Sequence, residues 1–145
     1  QAAFQLTRAA YPMLKQSAPA SIVLTGSVAG EIAIGTGSPY AASKAALAHL
    51  TRFLAVEWGR DQIRVNMVSP WYTETPLTEA LLSKPDFKNR VRELTPLGRI
   101  ARPEDISGVI AFLCTPAASY ITGQNIAVDG GFLARGGFWM PDELR

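Results

Sequence analysis

The feature of this sequence that most constrains its fold is the alternation of short apolar runs with longer Ala- and Leu-rich segments. Ser21–Thr25, Ile63–Val68 and Asn125–Val128 have the length and apolar character of buried strands. Between the first two lies Pro39–Trp58, whose apolar residues recur with helical spacing and which Gly59 closes. Such alternation predicts an α/β fold with a parallel sheet and helices on both faces.

Further segments complete the predicted order of elements. Helices are expected at Ala2–Gln16 and Pro103–Cys114, and irregular and helical segments at Thr75–Glu93. Ser38 followed by Pro39 fits an N-cap with proline at the first helical position. Because three strands are few for a doubly wound sheet, the first strand is expected to leave one edge uncovered.

Composition excludes several classes of protein. The chain has 145 residues, 48% hydrophobic and 18% charged, which predicts one domain with a real core rather than a disordered chain. Its net charge of +2 is too small to predict nucleic-acid binding, and no stretch approaches the about 20 apolar residues of a membrane span. The single Cys114 is expected to be a buried small hydrophobe, and no metal site is predicted.

Ser27, Tyr40 and Lys44 form the motif with the clearest chemistry. On a helix, the four-residue step from Tyr40 to Lys44 puts both side chains on one face. An ammonium beside a phenol stabilises the phenolate, so such a tyrosine can exchange a proton with a substrate oxygen that a serine hydroxyl holds. The motif predicts carbonyl–alcohol chemistry with a separate hydride carrier. The alternative is an exposed helical Tyr and Lys with an unrelated loop Ser.

The same residues occur within a longer set of motifs. With Arg64-Val-Asn66 on the second strand and Asp129-Gly-Gly131 near the end, the chain resembles the short-chain dehydrogenase/reductase family. The resemblance covers Ala2–Gly137. Motifs similar to the tropinone-reductase-like branch of that family are Leu97-Gly-Arg99, Arg102-Pro-Glu-Asp105, Ala111-Phe-Leu-Cys114 and Pro116-Ala-Ala-Ser-Tyr-Ile-Thr-Gly-Gln124.

The resemblance implies roles for individual residues. Ser27, Tyr40 and Lys44 would be catalytic, with Ser27 and Tyr40 contacting the substrate and with Tyr40 and Lys44 contacting the coenzyme. The further residues that would bind the nicotinamide end of the coenzyme are Pro70, Trp71, Tyr72 and Thr75.

Two positions depart from the family pattern. Trp71 replaces the usual Gly, whose backbone freedom a tryptophan cannot copy. Gly26 stands where Ser commonly precedes the catalytic Ser. For Trp71 and Tyr72, the alternative is that both are loop aromatics that pack on the core.

Two segments are candidates for closing the substrate site. Pro76–Leu94 corresponds to the family's lid, whose apolar face would favour a hydrophobic ketone, although an amphipathic helix with a solvated basic face is the alternative. The tail Phe132–Met140, with Phe138 and Trp139, is expected either to reach a neighbouring subunit or to close the pocket.

The resemblance implies an oxidoreductase that moves a hydride between NAD(P)(H), with NADP(H) favoured over NAD(H), and a ketone or secondary alcohol. A 3-oxoacyl-thioester reductase is an alternative within the family. The chain is expected to be a partial doubly wound, Rossmann-like domain without the Gly-rich coenzyme half, so a catalytically inactive truncated subunit that pairs with longer ones is a second alternative. A cytoplasmic homodimer or homotetramer is expected, paired through Ala2–Gln16 and Pro39–Trp58, and organelle targeting stays open.

Overall fold

The helices and strands follow the predicted alternation. The computed structural model describes residues 2–136. In chain order the elements are α1 (Ala2–Gln16), β1 (Ala20–Thr25), α2 (Ser38–Trp58), β2 (Ile63–Pro70), α3 (Pro76–Leu82), α4 (Pro85–Leu94), α5 (Pro103–Cys114) and β3 (Asn125–Val128).

The three strands form one parallel sheet in the order β1-β2-β3. Ala20 lies opposite Ile63 in the first pair of strands, and Met67 lies opposite Asn125 in the second. Within residues 2–136, β1 pairs with β2 alone. The expected uncovered edge of β1 is therefore present in this part of the chain.

Helices α1 and α2 cover one face of the sheet. Side chains of α2 (Leu54, Trp58) are buried against alternate residues of β2 (Ile63, Val65). Tyr11 of α1 stacks on Trp58 with 4.8 Å between ring centroids. The buried side chains of α2 therefore lie in its C-terminal half, from Ala48 to Trp58.

Helix α5 covers the opposite face. Its residues Ile106 and Leu113 are buried with Val68 of β2, which has the opposite parity to Ile63 and Val65 and so points to the other side of the sheet. Helices on both faces of a parallel sheet confirm the doubly wound α/β fold.

Helices α3 and α4 form a third, smaller unit where irregular and helical structure was predicted. Each begins at a proline, Pro76 or Pro85, at the position where the missing N–H costs nothing. Leu82, Val91 and Ile100 form its buried centre.

Two local predictions were wrong. Helix α2 begins at Ser38, and its N-cap is Gly37, whose φ of 91° turns the chain so that the Ala41 N–H reaches the Gly37 carbonyl at 3.2 Å. Cys114 is exposed rather than buried. Its neighbour Leu113 is the residue that faces the core, and one helical step of about 100° turns Cys114 away from it.

Asp105 organises the start of α5. Its carboxylate accepts two hydrogen bonds from the Arg99 guanidinium, at 2.6 and 2.8 Å, and one from the Arg102 backbone N–H at 2.7 Å. These bonds hold the pKa of Asp105 well below its usual range, and the bonds from Arg99 have the larger effect. The Arg-Pro-Glu-Asp motif is therefore a helix cap that joins α5 to the segment before it.

We expect Asp105→Asn to lower the melting temperature at pH 7, because the amide cannot carry the charge that Arg99 pairs with. A carboxyl whose pKa is depressed on folding stabilises the protein above its unfolded pKa, about 3.9, and that stabilisation is lost as the pH falls through the folded value. The difference from wild type should therefore shrink as the pH falls towards 3. Thermal unfolding followed by circular dichroism at several pH values measures this difference in melting temperature.

The matched control is Glu93→Gln, whose carboxylate makes an exposed ion pair with Arg90 at 3.1 Å. An exposed pair of this kind contributes little, so the control should melt close to wild type. A melting difference for Asp105→Asn that does not change with pH would contradict the assignment.

Candidate active site

Tyr40 and Lys44 lie side by side near the start of α2. The Lys44 Nζ is 5.6 Å from the centroid of the Tyr40 ring. The same Nζ donates a hydrogen bond at 3.0 Å to the carbonyl oxygen of Thr25, the last residue of β1. The lysine therefore joins the tyrosine-bearing helix to the end of the first strand.

Ser27 lies in the loop that follows β1. It caps a short 3₁₀ turn, Val28–Gly30, and its Oγ accepts a hydrogen bond from the Ala29 N–H at 3.2 Å. A hydroxyl that accepts in this way keeps its own hydrogen for a further partner. The cap thus fixes where the Oγ sits and leaves its proton available.

Ser27 and Tyr40 meet in one cleft of about 340 Å³. The volume lies within the range of small-molecule sites. The cleft is lined by Ser27, Ile34, Thr36, Tyr40, Pro70, Trp71, Tyr72, Leu77, Thr78 and Leu81. The structure therefore brings together five of the seven residues that the sequence nominated, and a sixth, Lys44, stands beside one of them.

Thr75 is placed differently from the other six. It is the N-cap residue of α3, and its Oγ1 lies 3.2 Å from the Thr78 Oγ1. It lines a neighbouring groove together with Glu79 and Lys88. Its hydroxyl is thus engaged in starting the helix that forms one side of the cleft.

Trp71 packs on the core and also lines the cleft. Its ring stacks on Phe132 with 3.7 Å between centroids and 8° between planes, and its Nε1 donates to the Thr95 Oγ1 at 3.2 Å. The two interpretations of this aromatic residue are therefore compatible. The stack holds the indole in one place, where it forms a rigid wall of the cleft.

Tyr72 contributes a second phenol to the cleft. Its ring makes edge contacts with Trp71 at 4.6 Å and with Phe87 at 5.2 Å between centroids. Burial, and then the proximity of Tyr40, raise the pKa of Tyr72 above its usual value of 10.0. Its hydroxyl therefore stays protonated at neutral pH.

The predicted lid divides its residues between the cleft and the solvent. Leu77 and Leu81 of α3 line the cleft, while Arg90 and Arg92 of α4 are exposed. These two leucines are among the apolar residues from which an apolar lid face was predicted. Ile34 and Thr36 carried no signal, because the loop that brings them to the cleft has no periodicity.

The predicted tail is only partly described. Phe132 packs against Trp71, as above. Phe138 and Trp139 lie outside the described residues. Of the residues that are described, no helix has both the length and the apolar character needed to cross a membrane, and no three acidic, His or Cys side chains cluster where they could hold a metal ion.

Comparison with known proteins assigns the family. A family model described as Enoyl-(Acyl carrier protein) reductase matches residues 1–133. A tropinone reductase homolog of Arabidopsis thaliana is 53% identical over 136 residues, which are 94% of this chain and 52% of the relative. The chain belongs to the short-chain dehydrogenase/reductase family. Its resemblance to the tropinone-reductase-like branch is confirmed, and Senescence-associated protein 13 of the same plant is 46% identical over 94% of this chain and 50% of the relative.

Solved structures of this family share the fold. A gluconate 5-dehydrogenase from Burkholderia cenocepacia, in complex with NADP and tartrate, superposes with a TM-score of 0.86 at 32% identity, over 90% of this chain and 51% of that one. A Thermus thermophilus protein gives 0.86 at 45% identity, over 91% and 56%. The chain spans about half the length of the curated relatives it matches.

Proposed function

We propose that the complete protein is an NAD(P)(H)-dependent oxidoreductase that interconverts a ketone and a secondary alcohol. The observation that carries this proposal is the placement of Ser27 and Tyr40 in one cleft with Lys44 beside the tyrosine. Family membership supports it. The plain alternative, an exposed pair on a helix with an unrelated serine, accounts less well for a shared cleft.

Ser27, Tyr40 and Lys44 have different roles in the proposed reaction at the substrate oxygen. In reduction, the Tyr40 hydroxyl gives its proton to the carbonyl oxygen, and the Ser27 hydroxyl donates a hydrogen bond to that same oxygen. Lys44 stabilises the phenolate that Tyr40 becomes. When bound, the nicotinamide coenzyme supplies or accepts the hydride.

The residues present fit the nicotinamide end of such a coenzyme. The Lys44 ammonium has three donors, of which the Thr25 carbonyl takes one, so two are available to ribose hydroxyls. Pro70, Trp71 and Tyr72 would form the wall behind the ring, while Thr75 would act mainly through the start of α3. A structural relative solved in complex with NADP supports a nicotinamide coenzyme, and we propose NADP(H) rather than NAD(H).

The cleft favours a small apolar ketone. Leu77 is 88% exposed and Leu81 is 41% exposed, yet both line the cleft. An apolar substrate would cover these two side chains and gain from their removal from water. The names of several plant relatives point to tropinone, a small cyclic ketone, as the first substrate to test. A 3-oxoacyl thioester is the competing substrate within the family.

We expect Tyr40→Phe to reduce turnover by about 10²–10⁴, the usual loss when a general acid is removed. Coenzyme affinity should change little, because the phenyl ring keeps the packing. The assay follows NADPH oxidation by the complete protein with tropinone and, in parallel, with acetoacetyl-CoA. A mutant that turns over at the wild-type rate would disprove the role of Tyr40. Activity with only the thioester would favour the 3-oxoacyl-thioester reductase.

For Lys44→Ala we expect the pH at which alcohol oxidation appears to rise, because the phenolate loses its neighbouring cation. Coenzyme binding should weaken as well, through the lost ribose contact. A pH–rate profile together with a coenzyme titration measures both effects. The conservative control, Lys44→Arg, keeps the charge and should shift the profile less. If Lys44→Ala leaves both the pH–rate profile and the coenzyme affinity unchanged, Lys44 has no role in the reaction.

Pairing with a second subunit is also supported by one observation. Large apolar side chains of α1 and α2 are exposed. They include Phe4, Leu6, Met13, Phe53 and Val56. Exposed apolar side chains on two neighbouring helices are common at protein interfaces, and a homodimer or homotetramer through these helices is therefore proposed.

Val56→Glu, at a position that is 84% exposed, should weaken this association without harming the fold. Analytical ultracentrifugation of the complete protein should show a smaller species, while Leu97→Glu, exposed outside the two helices, should sediment as wild type. Equal sedimentation of both variants and the wild type would exclude this surface as the interface.

A further inference from the structure

The loop that carries Ser27, residues 26–31, is held at three places. The first is Gly26, whose N–H donates to the Val68 carbonyl at 2.7 Å. A side chain at Gly26 would place its Cβ 2.6 Å from the Met67 Cε and 2.7 Å from the Ser69 Oγ. Gly26, which stands where the family usually has serine, therefore lets this loop (the serine loop, residues 26–31) lie in close contact with β2.

The second place is Glu31, at the far end of the serine loop. Its Oε1 accepts a hydrogen bond of 2.6 Å from the Asn125 Nδ2, across 94 residues of sequence. The Asn125 Oδ1 in turn accepts from the fully buried Ser69 at 2.7 Å. This chain of bonds ties the end of the loop to β3 and β2.

The third place is Gly30, which touches the backbone of α2. A Cβ at Gly30 would lie 2.8 Å from the Lys44 carbonyl carbon and 2.9 Å from the Ala45 nitrogen. Both atoms belong to the helix backbone and cannot rotate aside. Lys44 thus meets the strand end at Thr25 through its ammonium and the serine loop at Gly30 through its backbone.

We propose that Gly30 and Glu31 are positioning residues that set the place of Ser27 relative to Tyr40. The absence of a side chain at Gly30 allows the serine loop to lie directly on the residue that stands beside Tyr40. With alanine at position 30, the distance from its Cβ to the Lys44 carbonyl carbon would have to widen from 2.8 Å to at least the 3.4 Å of ordinary contact. This inference rests on the proposed function, in which Ser27 and Tyr40 act on one oxygen.

The first test is Gly30→Ala in the complete protein, assayed by NADPH oxidation with tropinone. We expect kcat to fall by about tenfold or more, since small misplacements of reacting groups cost large factors in rate. The KM for NADPH should stay within about threefold, because binding and positioning are separable in mutant kinetics. The matched control is Gly59→Ala, which should keep the wild-type kcat. Gly59 has φ −58°, and apart from its chain neighbours no atom of residues 2–136 lies within 4 Å of the added Cβ.

A double-mutant cycle separates positioning of Ser27 from a general loss of structure. We expect Ser27→Ala to cost about 10²–10³ in kcat, as for other groups that hold a developing oxyanion. If Gly30 acts through Ser27, Ser27→Ala with Gly30→Ala should be no more than about threefold slower than Ser27→Ala alone, because the two changes remove one interaction. Factors that multiply, or a Gly30→Ala enzyme with the wild-type kcat, would overturn the proposal.

Two other outcomes are distinguishable. A Ser27→Ala enzyme with the wild-type kcat would refute the proposed function itself rather than the role of Gly30. If Gly30→Ala does not fold, Glu31→Ala takes its place in the same cycle, because Glu31 is exposed and, among residues 2–136, its side chain bonds to Asn125 alone. We expect Glu31→Ala to lower kcat by less than Gly30→Ala does, and to cause no further loss when Ser27 is already alanine. A wild-type kcat for Glu31→Ala would overturn the proposal.

Discussion

The packing of α2 against the sheet is the interaction on which the whole cleft depends. Leu54 and Trp58, near the C-terminal end of α2, are buried against β2. Tyr40 and Lys44 lie on the same helix about four turns earlier. The packing of Leu54 and Trp58 therefore fixes the helix orientation and with it the direction of the two side chains. Lys44 then returns to the sheet at the end of β1. The proposed catalytic pair and the core thus share a single helix, so a core substitution can alter the cleft without changing any residue that lines it.

Much of the fold could be predicted because short-range patterns determine it. The bounds of α5 and β3 agree with the prediction, and β2 extends two residues further than predicted, since its last residues still pair with β3. The two errors, at Ser38 and Cys114, have a common origin. Both depend on where one residue points at the end of a helix, and that is decided by the backbone angle of Gly37 or by the neighbour that the core accepts, not by composition.

The site was predictable only as far as it is local. Tyr40 and Lys44 share one helix, so their spacing alone brings them together. The contacts that hold Ser27 and Trp71 join residues distant in sequence: Glu31 meets Asn125, and Trp71 meets Phe132. No periodicity records such pairs, because they arise from the closing of the sheet. Motif resemblance nominated Ser27, Tyr40 and Lys44, whereas the contacts that hold them become visible only in three dimensions.

The cleft has two walls with different attachments. The wall that carries Ser27 and Tyr40 is bonded to the sheet through Lys44 and Gly26. Leu77 and Leu81 instead lie on α3, whose Leu82 is buried in a cluster with Val91 and Ile100. Exposed side chains can be exchanged with little effect on stability. Substitutions at these two leucines can therefore change which molecules the cleft admits, while the wall that carries Ser27 and Tyr40 stays intact.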